Sequence, residues 1–265
     1  MYSTFKLAKK YLHYYFTASN GKGHGVHSPF VFDFIIKVLQ DKEQYDCYQQ
    51  IEVVRKQLIS NTQIIHVDDF GAGSTVMKQN ERKVSDIARS SLKPKKYAQL
   101  LFRIIQYYKP QTIVELGTSL GITTSYLALG NDNATVYTCE GAPAVASIAE
   151  QNFDQLKVKN IEIAQGNFDE TLPSVLTKIK NIDFAFVDGN HRKEPTLKYF
   201  HQLLQYSGDH TILIFDDIHW SKEMEEAWHE IQQHEAVTLT IDLFFIGIVC
   251  MKTDFKVKQH FSIRY

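Results

Sequence analysis

The feature that most constrains the fold is the alternation of short apolar segments with longer helical segments from about residue 93 onward. Segments rich in β-branched and aromatic residues predict strands, and the segments of about 10–15 residues between them predict helices. The predicted strands read TIVEL, TVYTCE, IEIAQ, DFAFVD and TILIFDD. Strands connected through helices form right-handed crossovers and lie parallel. The sequence therefore predicts an α/β, Rossmann-like fold, a parallel sheet with helices on both faces.

Both ends of the chain depart from this pattern. The C-terminal stretch VTLTIDLFFIGIVCMK predicts two strands with a tight connection, an antiparallel hairpin at the sheet edge. The first 90 residues contain helix-like stretches around 3–16, 29–40 and 46–59. We therefore expect a helical appendage at 1–90, serving as a substrate cap or an interface, and an α/β domain at 91–265.

Two features of the appendage have more than one interpretation. The first helix interleaves basic and aromatic residues, which fits packing against the core or a second subunit and also fits binding to a membrane surface. The glycine-rich loop DDFGAGST is followed by the helix-like VSDIARSS rather than by a strand that ends in an acid. It is either an ordinary turn or a loop that closes over an active site.

Composition excludes several classes of protein. The 265 residues include 29 basic and 30 acidic side chains, a formal net charge of −1, so no overall charge favours nucleic acid. The three cysteines have no metal-ligand or paired spacing, which suits a reducing compartment. No apolar run is long enough for a membrane span, and lysines interrupt the start of the chain where a signal peptide would be apolar. We expect a cytoplasmic protein that is either a monomer or a homodimer.

The run GTSLG, from Gly117 to Gly121, fits two kinds of site. As G-x-S-x-G it fits a nucleophile elbow that exposes Ser119, with Asp188 and His219 following in the order of a hydrolase triad. As a turn after a first strand it fits a loop that receives a cofactor. An elbow needs earlier strands in the same sheet, whereas TIVEL reads as the first strand, so the cofactor loop is favoured.

Later strand ends strengthen the cofactor interpretation. Glu115 ends the first strand, and Glu140 ends the next one 25 positions later, where an acid can accept hydrogen bonds from ribose hydroxyls. The third strand leads into Gly166, Asn167 and Phe168, a small polar loop suited to an adenine ring. The glycine spacing is not the G-x-G-x-x-G of a pyrophosphate loop. A phosphate-free, cationic nucleoside, S-adenosylmethionine, fits better than NAD.

The motif ELGTSLG resembles the first motif of class I S-adenosylmethionine-dependent methyltransferases, and the similarity runs from about Pro94 to the C-terminus. The most similar members are the metal-dependent O-methyltransferases of the catechol, caffeoyl-CoA and macrocin types. The resemblance implies that Glu140 holds the ribose and that Asn167 and Phe168 flank the adenine. It also implies a lining for the methionine portion: Glu115, Gly117, Ser119, Gly121 and Thr123.

Acidic residues end two further predicted strands, Asp188 after DFAFV and the pair Asp216 and Asp217 after TILIF. Carboxyl ends of neighbouring parallel strands meet at one edge, and converging carboxylates repel each other unless a cation lies between them. Oxygen ligands favour Mg²⁺ or Mn²⁺, which would acidify a substrate hydroxyl. The metal-dependent O-methyltransferases that the sequence resembles also have acidic residues after these two strands. Alternatively, an acid such as Asp217 caps the helix that follows.

Three more side chains are candidates near these acids. His191 follows Asp188 by three positions, where catechol-type relatives carry a lysine base, and it is either a general base or a hydrogen-bonding loop residue. His219 and Trp220 either contact substrate or pack. The sequence thus predicts a methyltransferase acting on a small-molecule hydroxyl. A serine hydrolase and a catalytically silent nucleoside-binding module are the alternatives.

Overall fold

The computed structural model describes residues 1–19, 21–23, 26–67 and 81–265. Its helices are α1 (Thr4–Thr17), α2 (Pro29–Phe34, continued by a π-helical turn at Ile35–Leu39), α3 (Asp46–Ser60), α4 (Val84–Ser91), α5 (Lys95–Tyr108), α6 (Ile122–Gly130), α7 (Pro143–Leu156), α8 (Phe168–Lys178), α9 (Lys193–Leu204) and α10 (Lys222–Gln233). Its strands are β1 (Ile64–His66), β2 (Glu81–Lys83), β3 (Thr112–Leu116), β4 (Thr135–Glu140), β5 (Ile161–Gln165), β6 (Ile182–Val187), β7 (Ser207–Asp216), β8 (Leu239–Asp242), β9 (Ile246–Cys250) and β10 (Gln259–Ser262).

Eight of these strands form a mostly parallel sheet, and helices alternate with strands from β3 to α10. The predicted α/β, Rossmann-like class is confirmed. The predicted antiparallel hairpin is formed by β8 and β9, but β10 pairs with β8 and takes the edge of the sheet. The short strands β1, β2 and β10 are additional to the prediction. The loop DDFGAGST, residues 68–75, lies outside the described residues, so the choice between its two interpretations remains open.

The chain forms two compact units, residues 42–179 and residues 1–41 with 180–265. This division differs from the predicted boundary at residue 90, because the first 41 residues belong with the C-terminal part of the chain. Among the helices that the structure describes, none is both long and apolar enough to cross a lipid bilayer.

The unit of residues 42–179 contains three parallel strands in the order β3-β4-β5. Strand β3 is buried at four of its five positions, as expected of a parallel strand covered on both faces. Helices α5 and α6 pack closely, since a side chain at Gly130 would meet the Ile105 side chain at 2.7 Å. The first turn of α7 begins with Pro143, whose fixed backbone angle suits a helix start.

The other unit contains five strands in the order β10-β8-β9-β7-β6. Strands β6 and β7 are parallel, β7 and β9 are antiparallel, and β10 runs parallel to β8. Its core is rich in fully buried aromatic side chains, among them Phe184, Phe200 and Phe215. Helix α10 begins at a serine cap, in which Ser221 Oγ accepts the Met224 N–H at 3.1 Å.

Candidate functional site

The GTSLG turn has the backbone of a strained connection between a strand and a helix. Gly117, Ser119 and Gly121 have φ angles of +104°, +48° and +78°. Such left-handed conformations suit glycine, whereas at Ser119 they are uncommon. The N–H groups of Gly117 and Thr118 donate to the carbonyl of Cys139, at 3.0 and 3.2 Å. The turn is therefore fixed to the end of β4.

Gly121 is required by its surroundings as well as by its backbone angle. A Cβ atom at this position would lie 2.6 Å from the Phe153 ring and 3.0 Å from Ala149 Cβ, both on α7. Real Cβ atoms do not approach so closely, so only glycine lets α6 begin here. Asn152, also on α7, donates from Nδ2 to the carbonyl of Leu120 at 2.8 Å. Helix α7 thus supports the turn, which the sequence pattern did not show.

Glu115 lies beneath the turn and is fully buried, with no exposed surface. Its Oε2 accepts hydrogen bonds from the hydroxyls of Thr124 at 2.5 Å and Thr138 at 2.7 Å. The hydroxyls of Thr118 and Thr138 lie 2.6 Å apart. The carboxylate therefore orders the turn through threonines from the loop, β4 and α6. Thr123, in the first turn of α6, is also buried.

Glu140, at the end of β4, lies where three loops of this unit meet. Its Oε2 accepts the Ser119 N–H at 2.8 Å, and its Oε1 accepts the Ala142 N–H at 2.9 Å. Its backbone carbonyl accepts the N–H of Gly166 at 2.9 Å. A carboxylate oxygen can accept more than one hydrogen bond, so these contacts are compatible with ligand hydroxyls as further donors.

The loop after β5 begins helix α8. Gly166 has a φ angle of +131°, and Asn167 Oδ1 accepts the Asp169 N–H at 3.0 Å, which caps the helix. Asn167 and Phe168 are both half-buried. The asparagine thus has a structural role, and it lies beside Phe168 at the carboxyl end of β5, where ligands of open α/β sheets bind.

The surroundings of Ser119 do not resemble those of a catalytic serine. Its Oγ lies 2.8 Å from the Oγ of Ser91, the last residue of α4. A nucleophilic serine needs a base within hydrogen-bond reach, and another hydroxyl is not one. Its backbone N–H is directed at the Glu140 carboxylate. The turn has the strained backbone of a nucleophile elbow, but the side chain beside Ser119 is a hydroxyl and not a base.

Three predicted residues come together in the other unit. Strands β6 and β7 pair in parallel with Val187 opposite Phe215, so Asp188 follows one strand where Asp216 ends the next. Asp188, His191 and Asp216 each offer a ligand atom, and these atoms lie within 4.8 Å of one another. His191 Nε2 is 3.5 Å from Asp188 Oδ1. Asp216 is buried, whereas the other two are half-buried.

Asp217 is not a member of this cluster. Its φ angle is +53°, its N–H donates to the carbonyl of Phe245 at 2.6 Å, and its carbonyl accepts the N–H of Trp220. His191 instead supplies the third ligand atom, because Asn190 and His191, with φ angles of +63° and +27°, turn the loop back toward Asp188. The structure thus offers an Asp-His-Asp set where three aspartates were expected.

His219 is bound on both ring nitrogens. Nδ1 lies 3.0 Å from Glu225 Oε1, and Nε2 lies 2.8 Å from Asp242 Oδ2. Burial alone would lower the pKa of His219, but hydrogen bonds and charge from the two carboxylates outweigh it and raise the pKa. Glu225 also accepts hydrogen bonds from Lys10 Nζ at 2.8 Å and the Tyr2 hydroxyl at 2.7 Å. His219 therefore joins the N-terminal segment to the β8–β9 hairpin.

Trp220 is half-buried, and its carbonyl accepts the Tyr2 N–H at 3.0 Å. Both candidates that follow the acid pair thus contribute to holding the N-terminal segment. The sequence did not single out Glu225 or Asp242, because no local spacing connects them to His219 or to Lys10.

Residues 114–218 match the family model described as "Methyltransferase domain". This part of the chain is similar to methyltransferase domains. It begins within β3, beside Glu115, and ends just after Asp217, so it includes every residue predicted for the cofactor loops and the acid cluster, whereas His219 and Trp220 follow it. No curated protein matches the sequence.

Solved structures with the same fold share little sequence with this protein. An O-methyltransferase from Bacillus cereus in complex with SAH has 19% identity and a TM-score of 0.56, over 83% of this chain and 97% of the other. A putative caffeoyl-CoA O-methyltransferase from Staphylococcus aureus has 17% identity and a TM-score of 0.59, over 78% and 96%. TomG from Streptomyces achromogenes, an O-methyltransferase in complex with SAM, has 14% identity and a TM-score of 0.56, over 84% and 96%. These similarities show that this chain has the fold of class I methyltransferases.

Proposed function

We propose that this protein is an S-adenosylmethionine-dependent O-methyltransferase that acts on a hydroxyl of a small molecule. The observation that carries the proposal is the extent of the region similar to methyltransferase domains, which contains both the loops proposed for the cofactor and the Asp-His-Asp cluster. Structures of the same fold include O-methyltransferases in complex with SAH and with SAM.

In this proposal the loops of residues 42–179 bind the cofactor. Glu140 accepts hydrogen bonds from the ribose, and Asn167 and Phe168 flank the adenine. The methionine portion lies along Gly117, Ser119, Gly121 and Thr123, while Glu115 orders that turn from beneath. The fit rests on Glu140, whose carboxylate is fixed by two backbone N–H groups at the meeting point of three loops. S-adenosylmethionine supplies an electrophilic methyl group on its sulfonium.

The Asp-His-Asp cluster fits a divalent cation. Ligand atoms about 2.1 Å from one ion lie at most about 4.2 Å apart, so the observed limit of 4.8 Å requires shifts of only a few tenths of an ångström. Asp188 and Asp216 would provide oxygens and His191 a ring nitrogen. Carboxylates suit Mg²⁺ and Mn²⁺, and the imidazole favours Mn²⁺ of the two. A bound cation would act as a Lewis acid that lowers the pKa of the acceptor hydroxyl.

Without a metal, His191 would act as the general base. Its contact with Asp188 orients the ring, and a ring nitrogen would take the proton of the acceptor hydroxyl. The acceptor oxygen then bonds to the methyl carbon as the carbon–sulfur bond breaks, leaving S-adenosylhomocysteine. Excess EDTA separates the two mechanisms: loss of turnover supports the metal, and full turnover supports His191 as the base. Without a metal, His191→Ala should cost roughly 10²-fold or more in turnover, which is the usual contribution of a general base.

Calorimetry with S-adenosylhomocysteine tests the proposal, followed by transfer of labelled methyl from S-adenosylmethionine to a panel of catechols and other hydroxyl compounds. We expect saturable binding of one nucleoside per chain and methylation of an oxygen. Labelling of Ser119 by a fluorophosphonate without nucleoside binding would instead establish the hydrolase. Nucleoside binding without transfer to any acceptor of the panel would favour the silent binding module.

A further inference from the structure

Helix α1 has one face packed against its own unit. Tyr14 is buried, and its hydroxyl donates a hydrogen bond to the carbonyl of Ile263. The rings of Tyr11 and Tyr14 contact Phe244, with centroids 5.1 and 5.3 Å away. Lys10 forms its ion pair with Glu225. These contacts fix the rotation of the helix about its axis, so the opposite face is held toward solvent.

The outward face carries a row of large apolar side chains, which we call the outer stripe: Phe5, Leu12 and Phe16. Their exposed fractions are 83%, 55% and 76%. Spacings of seven and four residues place them along one side of a helix. Five of the ten large hydrophobic residues that the structure finds exposed lie within the first 16 residues, and Met1 and Tyr15 are the other two. Such a concentration marks an interaction surface rather than scattered exposure.

The lysines of α1 lie beside the outer stripe, and the helix contains no acidic residue. Lys6 and Lys9 are exposed on the adjoining side of the helix, and His13 lies with them. Within the part of the chain that the structure describes, Lys9 has no ion-pair partner. The first acidic residue of the sequence is Asp33, so no carboxylate of α1 neutralises these lysines.

We propose that the outer stripe of α1 docks the protein onto an anionic lipid surface. A helix with an apolar row beside lysines lies in the plane of a membrane, with its aromatic residues at the boundary of headgroups and acyl chains. The lysines add attraction to anionic headgroups. Since α1 is already folded and anchored by Tyr14 and Lys10, docking does not require the helix to form on the membrane.

A second copy of the chain is a poorer occupant of this surface. Two outer stripes packed together would bring the lysines of both helices to one interface, where like charges repel and no acidic residue of α1 offsets them. The charge of the surface is complementary to phospholipid rather than to itself. This inference does not depend on the identity of the reaction.

Co-sedimentation of the full chain with vesicles tests the proposal, with vesicles of phosphatidylglycerol and phosphatidylcholine in equal parts compared with phosphatidylcholine alone. We expect binding to the anionic vesicles that weakens with salt. The double variant Phe5→Ser with Phe16→Ser should bind at least about tenfold more weakly. Lys6→Gln and Lys9→Gln should each cost about fivefold.

Matched controls remove exposed apolar side chains elsewhere. Val53→Ser and Val257→Ser, whose native residues are 47% and 73% exposed, should leave vesicle binding unchanged. Circular dichroism and thermal unfolding establish that each variant is folded. Equal binding of the Phe5 and Phe16 double variant, or no binding of the native chain to anionic vesicles, would overturn the proposal. So would a dimer in sedimentation velocity that the double variant loses, because the stripe would then be a subunit interface.

Discussion

The backbone N–H of Ser119, in the turn after β3, donates a 2.8 Å hydrogen bond to the carboxylate of Glu140 at the end of β4. One acidic side chain therefore fixes the turn and, in the proposed function, presents an oxygen to the ribose. This double role predicts a large effect from a small substitution.

Glu140→Gln should weaken the binding of S-adenosylhomocysteine by at least about tenfold, or about 1.4 kcal/mol. The amide replaces an acceptor oxygen by an NH₂ group, which faces a backbone donor and carries no charge. Calorimetry measures the change. Glu162→Gln, at an exposed position on β5, is the matched control and should bind normally. Equal affinities for both variants and the native protein would exclude Glu140 as the ribose ligand.

Gly121→Ala should destabilise the protein by about 2–4 kcal/mol, since it combines a left-handed backbone with a methyl group 2.6 Å from Phe153. Gly208→Ala provides the control, because a Cβ there meets no atom within 4 Å. Gly208→Ala should change the free energy of unfolding by no more than about 0.5 kcal/mol. Urea unfolding compares the two. Similar stability of the two variants would show that α7 yields to the added methyl group.

Asp216→Asn should abolish Mn²⁺ binding and methyl transfer while leaving nucleoside affinity nearly unchanged. The substitution removes a buried carboxylate from the Asp-His-Asp cluster. Asp217→Asn changes the adjacent residue in the same way outside the cluster, so it should bind Mn²⁺ normally. Electron paramagnetic resonance of free Mn²⁺ measures both. Greater loss in Asp217→Asn would restore the three-aspartate site that the sequence suggested.

The environment of His219 should make the free energy of unfolding depend on pH. Its pKa in the folded protein is raised above the ordinary value of 6.5. Its charge therefore stabilises the fold fully below about pH 6.5, and the contribution is lost as the pH rises through the folded pKa. His219→Asn should cost about 1–3 kcal/mol in free energy of unfolding near pH 6 and less near pH 9. The control is His210→Asn, at a side chain that is 88% exposed. An equal cost at both pH values would exclude the charged form.

The sequence predicted the α/β class because buried parallel strands are continuous apolar runs, as β6 and β7 are. Strands β2 and β10 have the sequences ERK and QHFS, which contain no apolar run. They are short, polar and partly exposed, and their pairing depends on neighbours distant in sequence. The network of Lys10, His219 and Glu225 was missed for the same reason, since Lys10 and Glu225 are 215 positions apart.

The candidate cluster differs from the predicted one in its third member, which is His191 rather than Asp217. Strand β7 ends at Asp216, and Asp217 has a left-handed backbone in the turn that follows. The turn at Asn190 brings His191 back to Asp188, and the residue types in this loop did not predict it. Residue types near strand ends predict a candidate site, and the local backbone geometry determines which of them come together.

The discontinuous unit, in which residues 1–41 pack with residues 180–265, has a consequence for the order of events during synthesis. The partners of α1, among them Phe244 and Ile263, leave the ribosome only after the whole of residues 42–179. At about 5–20 residues per second, α1 waits roughly ten seconds or longer for them. During that interval both faces of α1 are exposed, and its apolar side chains are open to chaperones and to other chains until the C-terminal strands are made.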